Sequence, residues 1–123
     1  MGSSSAPAPA LTAVKVVLVQ SSGFSSDPIP SGSLSTPNDH NGPSLTVVTE
    51  DVGYGQSQIA LFNGNRMKLV SSEPLPGRKP GTIVTGWRYT WSYQGSFANG
   101  TFTYQSTSIN FPVRTLSTRL FIR

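Results

Sequence analysis

Trp87, Tyr89, Trp91 and Tyr93 occupy every second position of one stretch, alternating with Arg88, Thr90, Ser92 and Gln94. A helix would scatter those four rings around its circumference, whereas a strand sends all of them to one side. The pattern predicts a long strand from Thr82 to Gln94 with a single aromatic face. A chain of 123 residues holds too few other large side chains to fill an interior, so this face is expected to line the core. Asn99-Gly100 reads as a two-residue hairpin turn that sets Phe97 opposite Phe102 and adds Tyr104 to the same wall.

The rest of the chain obeys the same period. Leu11 to Gln20, Leu45 to Asp51 and Gln58 to Phe62 are rich in β-branched or alternating apolar residues. Ile109, Val113, Leu116, Leu120 and Ile122 mark the last strand or strands, with Pro112 forcing an edge or bend. At Asn63-Gly64-Asn65 a three-residue loop would align Ile59 and Leu61 with Met67 and Leu69, and would keep Arg66 and Lys68 off that face. Residues 21–43 carry so many Pro and Gly breakers that they are expected to form one long loop without strand structure. The connection from Glu73 to Gly81 is irregular for the same reason. No window shows the three-four apolar spacing of a helix. The expected fold is all-β: a single-domain antiparallel β-sandwich of about seven or eight strands, immunoglobulin-like or jelly-roll-like, over residues 11–123.

Composition narrows the chemistry. With no cysteine, disulfides, thiolate nucleophiles and sulfur-bound zinc are excluded. The longest apolar run, Val16-Val17-Leu18-Val19, is far short of a membrane-spanning helix. Residues 1–10 pair a Met-Gly-Ser-Ser-Ser opening with an Ala-Pro repeat and contain no signal peptide. They are expected to be a disordered leader, vector-derived or lying just after a signal-cleavage point, which points to an exported protein, secreted or periplasmic. The net charge of +4 admits an anionic cell-surface partner, but the nine cations are scattered and carry no RNA-recognition signature, which argues against nucleic acid.

His40, the one histidine, sits in Asp39-His40-Asn41-Gly42, a tetrapeptide that reads first as an Asx-type turn and second as the base of a hydrolase or toxin using a Ser or Asp partner. Glu50 and Asp51 are neighbours on a strand and point to opposite faces, so they cannot form a glycosidase pair. Asp27 and Asp39 lack the spacing of a calcium loop. No cofactor or metal is expected. Recognition is expected on loops, with Asp39, His40, Asn41, Tyr54 and Asn99 as candidate ligand-binding residues and a glycan as one candidate ligand.

Several segments carry a resemblance: Asn38 to Gly42, Tyr54-Gly55, Leu61 to Gly64, Gly86-Trp87 with Trp91, and Gly100 to Gln105 leading to Thr107 to Asn110. Together they resemble the YolA-like family of small exported bacterial proteins, and the likeness covers roughly residues 11 to 123. The resemblance implies export and a β fold; it brings no assigned activity and no catalytic or binding residue. The favoured expectation is a non-enzymatic, monomeric binding module. A small secreted hydrolase using His40 and a self-assembling structural subunit are the alternatives.

Overall fold

The computed structural model describes residues 10–75, 83–109 and 113–123. Among them the chain forms nine strands: β1 (Ala13–Ser21), β2 (Phe24–Pro28), β3 (Gly42–Val52), β4 (Gly55–Phe62), β5 (Asn65–Arg66), β6 (Lys68–Leu75), β7 (Gly86–Phe97), β8 (Gly100–Ser108) and β9 (Thr115–Ile122). They build two antiparallel sheets, one in the order β2-β1-β3-β7-β6 and one in the order β5-β4-β8-β9. Their inner faces pack together as a β-sandwich, as expected. No helix among the described residues is long and apolar enough to cross a membrane. The leader before Ala10, the start of the expected strand at Thr82, most of the 73–81 connection and the bend at Pro112 lie outside the described residues. Ala10 itself bridges to Tyr54, and Leu11 is fully buried, so the fold takes up the chain by that point.

The aromatic row of β7 faces inward. Trp91 and Tyr89 are buried, while Trp87 and Tyr93 are partly buried against the same core. The rings of Phe102 and Tyr104 oppose them from the other sheet rather than extending their own. Trp91 meets Tyr104 at 5.8 Å between ring centres, and Phe62 meets Tyr93 at 5.0 Å. These contacts lie in the range where tilted aromatic pairs attract. The hairpin expected at Asn99-Gly100 is therefore absent: β7 pairs with β3 and β6, β8 pairs with β4 and β9, and Ala98-Asn99 carries the chain between sheets. Burial overrode the local turn signal, because folding β8 back beside β7 would leave one aromatic face uncovered.

The expected three-residue loop is also corrected. Leu61 pairs with Arg66 and Phe62 with Asn65, so Asn63-Gly64 is a two-residue turn. Both residues have positive φ, at 50° and 82°, as a type I′ hairpin turn requires. The inward residues are consequently Ala60 and Phe62, both at 0% exposure, with Ile59 and Leu61 only half-buried. Met67 then crosses between the sheets, so Lys68 and Leu69 lie on the edge strand β6 beside β7 rather than continuing the hairpin. The crossover takes Lys68 away from the hairpin, and Arg66 stays opposite Leu61 on the outer face, where a cation remains in water, so the clash that favoured the longer loop does not arise.

Finally, residues 21–43 are not structureless. Phe24 to Pro28 form β2, which pairs with the C-terminal half of β1 through Leu18↔Pro28, Val19↔Asp27 and Ser21↔Phe24.

Candidate functional site

The segment after β2 crosses to the opposite sheet. Leu34 and Thr36 bond the backbone of Phe121, Ser35 bridges to Phe121, and the His40 amide donates to the Arg123 carbonyl. Residues 34–40 thereby cover the end of the sandwich between β2 and the last turn of β9. A buried polar knot fixes them. His40 is 0% exposed, with its Nε2 2.9 Å from Asp27 Oδ2 and its Nδ1 2.8 Å from Ser21 Oγ. Asp27 also accepts from the Asn38 amide at 3.1 Å and from Asn38 Nδ2 at 3.0 Å. Burial pushes the Asp27 carboxyl up, but the bonds from His40 and Asn38 outweigh it and hold the group below its ordinary value of 3.8.

A serine, a histidine and an aspartate in one chain of hydrogen bonds invite comparison with a nucleophile relay. A carboxylate can only accept, so Nε2 carries a proton and Nδ1 is left to accept from, or donate to, Ser21. The wiring is the reverse of the serine-hydrolase template, in which Nδ1 faces the aspartate. Ser21 Oγ also accepts the Phe24 amide at 3.2 Å, and the edge of the Phe24 ring packs on His40 at 5.8 Å. The geometry is that of a clamp joining β1, β2 and the covering segment.

A second buried polar cluster lies between the sheets. Asp51 points inward from β3 at 0% exposure, accepting from Tyr104 Oη at 2.6 Å and Ser106 Oγ at 2.8 Å. Gln58 donates to Tyr89 Oη and to Ser106 Oγ. No cation pairs with Asp51 among the described residues. Burial consequently raises its pKa above 3.8 despite the hydroxyl bonds, and burial beside Asp51 pushes Tyr89 up to about 12. A Cβ at Gly55 would collide with Ser106 Oγ, so glycine is what lets β4 approach this cluster. Glu50, the next residue, points outward and binds Arg88 through Oε2 at 2.7 and 2.9 Å; Lys15 stands 3.7 Å from its other oxygen. The opposite facing of Glu50 and Asp51 follows from the strand period.

The remaining sequence candidates do not converge. Asp39 is exposed and pairs with Arg123 at 3.4 Å rather than closing an Asx turn. Asn41 is exposed beside Gly23. The Asn99 carbonyl is 3.5 Å from Asn63 Nδ2, and Tyr54 is half-buried with its ring 6.2 Å from Trp87. Gly42 pairs with Phe97, so His40, Asn41 and Asn99 sit at one end of the sandwich. Tyr54 follows the far end of β3, about 35 Å away by strand rise. Ser21 and Asp27 are not legible in the sequence as partners of His40, because they stand 19 and 13 residues before it and reach it only through the tertiary fold. The alternation of β3 sets Glu50 and Asp51 on opposite faces, and the fold makes Asp51 the inward one.

Two of the grooves on the described surface bear on a binding site. The smaller, about 380 Å³ on the outer face of the larger sheet, is bounded by Val17, Leu18, Val48, Thr90 and the Glu50–Arg88 pair, whose charges already match. The larger, about 710 Å³, lies between Ala13–Val17 of β1, the 29–34 segment and Ser117–Arg119 of β9. Val14, Val16, Ile29 and Leu34 give it an aliphatic lining, Ser31, Ser33, Ser117 and Thr118 supply hydroxyls, and Lys15 and Arg119 are its charged residues. No carboxylate or aromatic residue lines it. Its size falls within the range of ligand pockets.

Neither the curated proteins nor the solved structures include a match to this chain. The family it belongs to is the one described as Domain of unknown function (DUF4879), whose model matches residues 6–122.

Proposed function

We propose that the chain is an exported, non-enzymatic binding module whose ligand occupies the groove between β1, β9 and the 29–34 segment. The observation that carries this reading is the groove itself: an aliphatic lining, hydroxyls and two cations, without a carboxylate. A pocket of apolar surface with a few polar groups is the usual form of a binding site. The Ser21–His40–Asp27 knot supports the reading indirectly, since it anchors the C-terminal end of the segment whose first half forms one wall. Export rests on the resemblance to the YolA-like family. The groove favours an amphipathic anion over a glycan, because it lacks the ring faces on which sugars stack.

Amide chemical-shift mapping of the full chain against a panel of palmitate, an acidic peptide and a sulfated oligosaccharide tests the site. Shifts concentrated at residues 13–17, 29–34 and 117–119 are expected with at least one probe. Shifts confined to Asp39, Tyr54 or Asn99, or none with any probe, would overturn it.

One observation favours a second reading, a hydrolase: Ser21 Oγ and His40 Nδ1 are within hydrogen-bond reach. Covalent labelling of Ser21 by a fluorophosphonate, lost in Ser21→Ala, would establish it; an unlabelled Ser21 under conditions that label a serine hydrolase control would dismiss it.

A further inference from the structure

The two strands that flank the large groove both lose their neighbours there. β2 pairs with β1 only from Leu18 to Ser21, and Ile29 donates its amide to Val17 before Pro30 and the left-handed Gly32 turn the chain away. Ala13–Val16 therefore has no strand beside it on that edge among the described residues. On β9 the covering segment bonds Phe121 and Arg123. Those two residues direct their N–H and C=O groups away from β8. The β8–β9 register runs without a shift from Thr115 to Ile122, so the two-residue period turns the backbone groups of Ser117 and Arg119 the same way. Both residues line the groove, and neither has a backbone partner on that side among the described residues. Leu34, at the wall, is 84% exposed.

We infer that the ligand of this groove is an extended peptide bearing acidic side chains, added as a strand along Ser117–Arg119 of β9. This rests on the groove being the binding site, as proposed above. An added strand satisfies the two outward N–H and two outward C=O groups, which neither a fatty acid nor a sulfated sugar does in register. Its side chains alternate between the aliphatic lining, including Leu34, and the rim. Arg119 forms no ion pair among the described residues, and Lys15 stands across the groove with only a 3.7 Å contact to Glu50. A carboxylate on the bound strand is the charge that complements them.

The test uses the full chain and an end-capped heptapeptide alternating valine and glutamate. Amide hydrogen exchange at Ser117 and Arg119 is expected to slow on binding, while the ladder amides of β8 stay unchanged. N-methylation of the peptide on the edge facing β9 is expected to weaken binding by about tenfold or more, since each lost hydrogen bond is worth roughly that factor. Arg119→Glu, at an exposed position, is expected to reverse the preference toward a valine-lysine heptapeptide. Peptide binding that N-methylation leaves unchanged would overturn strand addition. So would palmitate shifting the groove resonances while no peptide does, although the groove would then survive as a site. If no probe of any class shifts the groove, the binding-site reading falls with it.

Discussion

Asp27 and Asp51 are both buried aspartates, yet the protein treats them in opposite ways. Asp27 holds three donors, one on the ring of His40, at a junction of strand and covering segment. Asp51, in the middle of the sandwich, has hydroxyl and amide neighbours and no cation among the described residues. The net outcome is a carboxyl held below its ordinary value at the junction and one held above it in the core. Burial costs both charges; the donors decide which charge survives it. The junction depends on the charged form, and the core is most stable with the neutral form. For Asp27 the lowered folded value contributes stability that is full above the unfolded value of 3.8 and is lost as pH falls through the folded value. For Asp51 the raised value contributes stability that is full below 3.8 and is lost as pH climbs through the higher folded value.

Three substitutions break or sharpen that contrast. The largest effect is expected from Asp27→Ala, which strands the His40 Nε2 and the two Asn38 donors; urea denaturation at neutral pH should show a loss of about 3 kcal/mol. The loss should shrink as pH falls below 3.8, where the wild-type carboxylate gives up its own contribution. An undiminished loss in acid would show that the knot does not depend on charge. Tyr104→Phe removes the 2.6 Å donor from Asp51 and should destabilise by about 2 kcal/mol. It should also raise the Asp51 titration further, as read by carboxyl carbon chemical shifts. The smallest change belongs to Asp51→Asn, whose amide keeps the Tyr104 bond and can donate to Ser106. At neutral pH it should lie within about 1 kcal/mol of wild type. Its stability relative to wild type should improve as pH rises above 3.8, because only the wild type acquires a buried charge. Matching losses in Asp27→Ala and Asp51→Asn at neutral pH would erase the distinction.

The same contrast governs how much of the site was legible in the sequence. Strand alternation alone sets Asp51 and Glu50 on opposite faces, although the Asp51 partners Tyr104 and Ser106 stand 53 and 55 residues away on another strand. His40 gave no such clue. Its neighbours Asp39 and Asn41 suggested a local turn, while its actual partners come from the end of β1 and from β2. The 21–43 stretch reads as loop because Pro and Gly dominate it. Nothing local reveals that Phe24-Ser25-Ser26-Asp27-Pro28 becomes an edge strand by borrowing the ladder of β1. The groove was wholly hidden, being defined by where two edges run out of neighbours.

What the sequence alone determined is the set of quantities that repeat along one strand: the β class, the sandwich, the inward aromatic face of β7 and the opposite facing of Glu50 and Asp51. Side-chain direction has a period of two residues, so these are local facts. The tertiary structure decided which strands share a sheet, that Ala98-Asn99 and Met67 cross between layers, that Asn63-Gly64 closes as a two-residue turn, and that His40 is clasped between Ser21 and Asp27. Each is a choice among pairings of similar local cost. The selecting term is burial of the Trp91, Tyr104, Phe62 and Phe102 surfaces against one another, which only the whole chain can supply.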